Sequence, residues 1–389
     1  MSQPVLPGAT IGILGGGQLG RMLTDAAHRM GYHVVVWSGA PDAGPAAQAD
    51  MLIEEPFDDT AAFERFVRAA AVATVEFENI PRALLEAIAG RIPLHPGANA
   101  IAICQDRERE KTFLSDHGVP CAPFAVVSSA AELREALATL PSGGGILKTA
   151  EFGYDGKGQV VVSASGDAEA IWASFAAPRG VLEQKIDLAA EFSVLVARDA
   201  SGATAVYDPV QNDHRDHILD LSVAPAALPP ALFEQSQRIA RTVATDLAYV
   251  GLLAIEFFVS RSGELLVNEM APRPHNSGHH TINACVTSQF EQQLRAICGL
   301  PLGDPKLLQP AAMINLLGDV WIDHEGRPDW TAMLAIPGCS LHLYGKTEPR
   351  RGRKMGHLTI LAETPEEVWE RQAQCRELLG LPQVEPTKW

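Results

Sequence analysis

Two carboxylates, Glu256 and Glu269, are the residues whose spacing points most directly to chemistry. Each lies in an apolar, β-rich run, LLAIEFFV (252–259) and ELLVNEM (264–270), and a short polar turn separates the two. That pattern reads as a β-hairpin. With Ser262 and Gly263 as a two-residue turn, Glu256 falls directly opposite Glu269. Facing side chains on one sheet surface have Cβ atoms about 4.5–5.5 Å apart, and like charges there destabilise the pair. A chain that places two acids this way among Ile, Phe and Leu is best explained by a cation between them, the plainer reading being a surface hairpin whose acids face water. Oxygen-only donors suit magnesium, which takes one or two carboxylates and completes its shell with water and substrate phosphates. Simple strand alternation puts Asn268 on the opposite face.

A second group of residues suits an anion. Lys148 sits on an apolar strand in GILKTAEFGYDGKGQVVV (145–162), and a buried lysine is rare without a partner, here a bound anion or, as the plainer reading, a structural salt bridge. The loop after it, Gly153, Tyr154, Asp155, Gly156, Lys157, Gly158 and Gln159, joins two strands and is suited to fold over phosphates. It lacks the G-K-[ST] ending of a P-loop. VLEQKIDLAAEFSVLVARD (181–199) reads as strand, polar break and strand, with Glu183 and Glu191 able to accept hydrogen bonds from an amino group or ribose hydroxyls. His214, in QNDHRDHILDLSVAPA, is ambiguous between a ligand contact and a surface loop.

The elements that must position these groups are legible in outline. TIGIL (10–14) is a strand, and Gly15, Gly17 and Gly20 match G-x-G-x-x-G ahead of a helix. Such a loop presents backbone N–H groups to an anion. The next strand, HVVVWS (33–38), ends without the acid that a dinucleotide ribose requires, so NAD is disfavoured. The loop then meets a smaller phosphate or only packs helix on strand. VATVEFENIP (72–81) reads as a buried strand whose end carries Glu76 and Glu78, as ligand contacts or as helix-capping and rim charges. The segments 102–118, 130–140, 280–303 and 367–380 read as helices. AAMINLLGDVW and CSLHLYGK read as strands, and KTEPRRGRKMGH (346–357) is a basic run, either a solvated turn or a site suited to bidentate phosphate contact.

The totals bound the rest. At 389 residues the chain has room for two or three domains. A net charge of -16 argues against a nucleic-acid surface, which would be basic. The six cysteines form no Cys-x-x-Cys pair, as expected of a reducing cytosol. No apolar run approaches the ~20 residues of a membrane span, and the first residues lack the pattern of a signal peptide. The expectation is a soluble cytoplasmic protein.

In order, GGGQLGRM, EFENIP, QDRxxEK, Lys148 ahead of GYDGKGQ, SVAPA, EFF, NE, PRPHNSGH, and YGK with RKMGH resemble the ATP-grasp superfamily. Within it they resemble the N5-carboxyaminoimidazole ribonucleotide synthetase family, over residues 10 to 362. Lys157 stands where relatives often carry Arg. The resemblance implies an α/β and α+β chain. It would comprise an N-terminal open parallel-sheet, pre-ATP-grasp domain (1–95), an ATP-grasp domain (96–305) with a mobile lid at about 120–185, and a small C-terminal α+β domain (306–389).

It implies ATP contacts from Arg107, Lys148, the loop Gly153–Gln159, Glu183, Gln184, Lys185, Ile186, Glu191, His214, Asn268 and Glu269, with magnesium on Glu256 and Glu269. The phosphoribosyl substrate, 5-aminoimidazole ribonucleotide, would meet Gln18, Leu19, Glu78, Tyr154, Lys157, Asn276, Lys346, Arg353 and Lys354. Lys148 would serve the phosphoryl transfer. Arg273 and His275, cationic or able to become so and just past the acid strand, would hold bicarbonate and carboxyphosphate. The implied reaction is ATP-dependent carboxylation of that ribonucleotide in purine biosynthesis, by a homodimer. The rival is a formate-dependent transformylase of the same superfamily.

Overall fold

The computed structural model describes residues 3–40, 44–140, 144–151, 153 and 158–386. Its N-terminal sheet is parallel, with strands β1 (Thr10–Leu14), β2 (His33–Trp37), β3 (Met51–Ile53) and β4 (Val72–Val75) in the order β3-β2-β1-β4. Unbroken runs such as IGIL and VVVW fit strands buried on both faces, as parallel sheets require. The helix Gln18–Arg29 follows β1. The strand expected over 72–81 leaves the sheet at Val75, so Glu76 and Glu78 lie just past its C-terminal end, where open α/β sheets bind ligands.

An antiparallel sheet follows, built from β5 (Phe124–Val127), β6 (Gly144–Thr149), β7 (Gln159–Ser163) and β8 (Gly180–Gln184) in the order β5-β8-β6-β7. The segment expected as one helix over 102–118 is two, Ala98–Cys104 and Arg107–Asp116. Asp106 makes the break, because its carboxylate accepts from the Glu108 and Arg109 amides and caps the second helix. Likewise 280–303 divides into Thr281–Ala284 and Gln289–Ile297, with Ser288 capping the second.

The largest sheet has nine strands. These are β9 (Leu188–Arg198), β10 (Thr204–Val206), β11 (Val210–Arg215), β12 (Ile218–Ala224), β13 (Gly251–Ser260), β14 (Leu265–Ala271), β15 (Ala311–Leu317), β16 (Cys339–Leu343) and β17 (Lys354–Leu361). Its order is β14-β13-β9-β11-β12-β15-β17-β16, with β10 on β9. The C-terminal strands therefore extend the central sheet through the β12–β15 pair. The strand expected to reach Trp321 ends at Leu317 and turns into the helix Gly318–Asp323. β10 to β12 and the helix Pro230–Asp246 had no counterpart in the sequence reading.

Alternation on β13 places the acid. Leu253, Ile255, Phe257 and Val259 pack with Ala240, Val243 and Ala244 of the Pro230–Asp246 helix in one core, so Glu256 is turned to the other face.

Candidate active site

A cavity of about 410 Å³ lies where the three sheets meet. Its lining draws Glu78 from the N-terminal region and Lys148, Gln159 and Glu183 from the four-stranded antiparallel sheet. The central region supplies Glu191, His214, Glu256, Asn268, Glu269, Arg273, His275, Asn276 and Lys354.

The acid pair faces across the hairpin, Glu256 against Glu269, by a route the sequence did not show. The turn is one residue longer than expected, with the Ser260 and Glu264 backbones still paired (3.0 Å). On that register Glu256 would meet Asn268. A bulge between Glu256 and Phe257 absorbs the offset and restores Glu256 to Glu269. The core records the same shift, since Leu265 and Val267 point inward before the bulge and Met270 after it. Asn268 and Glu269 consequently both line the cavity, and the expectation that Asn268 lies on the far face is corrected. A bulge opposes two residues to one and re-aims them.

Charge in the cavity is sharply divided. Burial, then the charge on Glu269, push the Glu256 carboxyl up to about 7, with His214 opposing. The Asn268 Oδ1 is buried without a hydrogen-bond partner. Among the described residues no three His, Cys, Asp or Glu side chains converge as a metal cage. Two acids and an idle amide oxygen instead fit a hard divalent cation that takes its other oxygens from a bound phosphate chain and water.

On the opposite side, Glu183 meets Lys148 Nζ at 3.0 Å and Lys111 Nζ at 3.4 Å. Burial opposes its ionisation, yet Lys111, Lys148 and Arg107 hold the carboxyl at about 2. Lys148 is thus anchored by an acid in the protein, and the Glu183 carboxylate faces two lysines at the cavity wall. Arg107 reaches Glu269 at 3.3 Å.

His214 Nδ1 lies 2.9 Å from Glu191. Burial disfavours its charge, but the hydrogen bond to Glu191 and the field of Glu256 raise its pKa to about 9. Arg273 grips Glu78 through Nε (2.6 Å) and Nη2 (3.2 Å). This joins the N-terminal region to the central one and, against the cost of burial, lowers the Glu78 carboxyl.

His275 lies beside Glu256 in the cavity. Burial, then the charge of Arg273, hold it far below its ordinary pKa, so it is neutral. The Ser277 amide donates to Nδ1 (3.4 Å), and Nε2 lies 3.3 Å from Glu256 Oε1.

The glycine loop also has a different occupant. The Gly17 and Gly20 amides donate to the buried Glu76 carboxylate at 2.5 and 2.7 Å, and a Cβ at Gly17 would lie 2.7 Å from Glu76 Oε1. The protein's own acid fills the anion nest.

Gln18, Leu19, Lys185, Lys346 and Arg353 are not part of the cavity lining. Leu19 packs in the N-terminal core, Lys346 Nζ donates to Gln18 Oε1 at 2.8 Å, and Arg353 Nη1 donates to the Glu348 carbonyl at 2.7 Å. Tyr154, Asp155, Gly156 and Lys157 lie outside the described residues. Reading for chemistry passed over Lys111, Glu110, Gln105 and His217. The first three stand in QDRxxEK, which was a signal of kinship without assigned roles. Gln105 pins the turn at Glu78 through the Glu78 and Ile80 carbonyls, and His217 approaches Gln159 at 3.3 Å.

Three domain families match in succession. They are the ribonucleotide synthetase preATP-grasp domain over residues 8–105, the ATP-grasp domain over 112–290, and the phosphoribosylaminoimidazole carboxylase C-terminal domain over 311–371. The N5-carboxyaminoimidazole ribonucleotide synthase of Brucella melitensis is 44% identical over 357 residues, 91% of this chain and 96% of the relative. That of Bacillus subtilis is 39% identical over 369 residues, 94% and 95% of the two chains. The chain belongs to the N5-carboxyaminoimidazole ribonucleotide synthase family. It is an ATP-grasp ligase of purine biosynthesis, which sets aside the formate-dependent alternative. A solved family member from Aspergillus clavatus, in complex with ADP and 5-aminoimidazole ribonucleotide, superposes with a TM-score of 0.87 at 29% identity. It covers 96% of this chain and 98% of its own. For a synthase of this family, the cavity, with lysines on one wall and acids on the other, is the candidate active site.

Proposed function

We propose that the cavity couples ATP cleavage to bicarbonate activation and carboxylates 5-aminoimidazole ribonucleotide on its exocyclic amine. A bicarbonate oxygen attacks the γ-phosphorus and ADP leaves, giving carboxyphosphate. The amine then attacks the carboxyl carbon, phosphate departs with the bridging oxygen, and the amine's proton is released. The observation that carries this reading is the bulge that turns Glu256, Asn268 and Glu269 into the same cavity as Lys148 and Arg273. The ligand named with the Aspergillus clavatus relative supports the choice of ribonucleotide.

Phosphoryl transfer asks mainly for positioning and charge neutralisation. Lys148, held by Glu183, and Arg107 place cations for the triphosphate, while Glu191 and His214 form a charged pair for a ribose or phosphate. Ile146, Ile186, Leu188, Leu219 and Phe258 give the lining an apolar surface suited to a base. Glu256, Glu269 and Asn268 would hold magnesium, which when bound neutralises charge on the phosphates. Arg273, oriented by Glu78, is the cation for bicarbonate and carboxyphosphate, whose sensitivity to water makes a closed site valuable. Glu78, Asn276 and Lys354 line the cavity and would meet the ribonucleotide; the same role is proposed for Gln18, Leu19, Lys346 and Arg353 beyond the cavity, and for Tyr154 and Lys157.

The division into 1–95, 96–305 and 306–389, a lid moving at 120–185, a homodimer and a cytoplasmic location belong to the same proposal. No helix among the described residues is long and apolar enough to cross a membrane. The test is a coupled ADP-release assay with the ribonucleotide present and bicarbonate supplied, withheld or replaced by formate. Turnover that ignores bicarbonate, or that accepts formate equally, sinks the proposal.

A further inference from the structure

Among the described residues β14 is an edge strand, and apart from a single bridge between Val267 and Cys121 its outer peptide groups have no neighbouring strand to bond. The bulge at Asn268 adds further irregularity there. Unpaired buried backbone groups cost about 1–3 kcal/mol each, and these find unusual partners. The helix Arg107–Asp116 lies along this edge and presents Arg107, Glu110 and Lys111, residues three and four apart and hence on one face. Glu110 Oε1 accepts the Met270 amide at 2.6 Å. Lys111 Nζ donates to the Asn268 carbonyl at 2.7 Å. Arg107 meets the Glu269 carboxylate itself. Glu110 is 2% exposed and Lys111 0%, so both are ionisable side chains enclosed in the interior. Nearby, the Val267 amide is bonded by the Pro120 carbonyl at 2.7 Å, which covers the same edge.

We infer that Glu110 and Lys111 are positioning residues that clamp the bulge from either side and so fix the direction of the Asn268 and Glu269 side chains. The inference rests on reading Glu256, Asn268 and Glu269 as the metal site. Two features set these residues apart from ordinary core filler. Each bonds main chain one residue from Glu269, on opposite sides of it. Lys111 also reaches Glu183, which holds Lys148, so one ammonium ties the acid wall of the cavity to the lysine wall. An apolar core would pack as densely but leave the bulge free to relax into a flat ladder, with Asn268 withdrawn.

The test compares Glu110→Gln, which keeps an acceptor oxygen for the Met270 amide, with Glu110→Met, of similar length and without one. Manganese is titrated by electron paramagnetic resonance in the presence of a non-hydrolysable ATP analogue, and hydrogen exchange is followed at the Met270 amide. Glu110→Gln should match the wild type within about threefold. Glu110→Met should weaken manganese binding about ten- to a hundredfold and lose protection at Met270 by a similar factor, as the loss of one buried partner implies. Lys111→Met should weaken manganese binding comparably, and it carries the comparison if Glu110→Met does not fold. Glu110→Met or Lys111→Met with wild-type manganese affinity overturns the inference, as does Glu110→Gln failing as badly as Glu110→Met. If Glu269→Ala also leaves manganese affinity unchanged, the metal reading falls, and the inference with it.

Discussion

Glu76→Ala removes the acid that occupies the glycine nest. The side chain accepts two backbone amides, from Gly17 at 2.5 Å and Gly20 at 2.7 Å, and is only 6% exposed. Charge-assisted bonds of this kind contribute about 1.5–3 kcal/mol each. Part of that is offset, because burial is the largest influence on this carboxyl and raises its pKa, and deleting the charge recovers its desolvation cost. The net loss should be about 2–4 kcal/mol, read as a fall in the guanidinium midpoint at unchanged slope. Glu76→Gln should recover no more than about half, since its amide has one acceptor oxygen and opposes the second N–H with a donor. Acetate supplies the atoms that alanine lacks and should raise the stability of Glu76→Ala with its concentration, as any ligand of the folded state does, while leaving the wild type unmoved. A Glu76→Ala protein within about 1 kcal/mol of wild type and indifferent to acetate would refute the assignment of the nest to Glu76.

Three further outcomes are expected. Lys148→Met should lower kcat by about a hundredfold or more, because a cation fixed at the phosphates is lost; single-turnover ADP formation checks this, and a change below fivefold contradicts it. Arg273→Ala should keep nucleotide affinity within about threefold and block carboxylation, with Glu78→Gln in the same protein to avoid an unpaired buried acid; a combined variant that still carboxylates contradicts the role. For His214, a folded-state pKa of about 9 against an ordinary value of 6.5 means a stabilisation present in full below pH 6.5 and lost as pH rises towards 9. Urea midpoints of the nucleotide-free protein should therefore decline over that range, and His214→Asn should flatten the decline; an equal decline in both proteins rules the pair out as its source.

Strand periodicity carried most of the fold, because apolar runs and glycine breaks report burial directly. β1, β2 and the hairpin strands stand where their sequence puts them. The facing acids were legible too, although the two-residue turn that placed them was wrong and the bulge at Asn268 compensated. No pattern of residue types marks a bulge of this kind, since it is set by how an edge strand meets a helix far away in sequence. The partners of charged groups were equally hidden. Lys148 asked for an anion, but that Glu183 and Lys111 share the site depends on three elements meeting. By its sequence alone Glu76 suits ligand contact, helix capping or a rim charge, and its carboxylate caps the Gln18–Arg29 helix from 56 residues away. His275 carried no sign of its burial, which is what keeps it neutral.

The most direct test follows oxygen from bicarbonate. With bicarbonate fully labelled in oxygen-18, the protein, ATP, magnesium and 5-aminoimidazole ribonucleotide should release phosphate carrying one labelled oxygen per molecule, because the bridging oxygen of carboxyphosphate leaves with phosphorus. Phosphate released at the same rate as carboxylated product but without label would contradict activation of bicarbonate by phosphoryl transfer in this cavity.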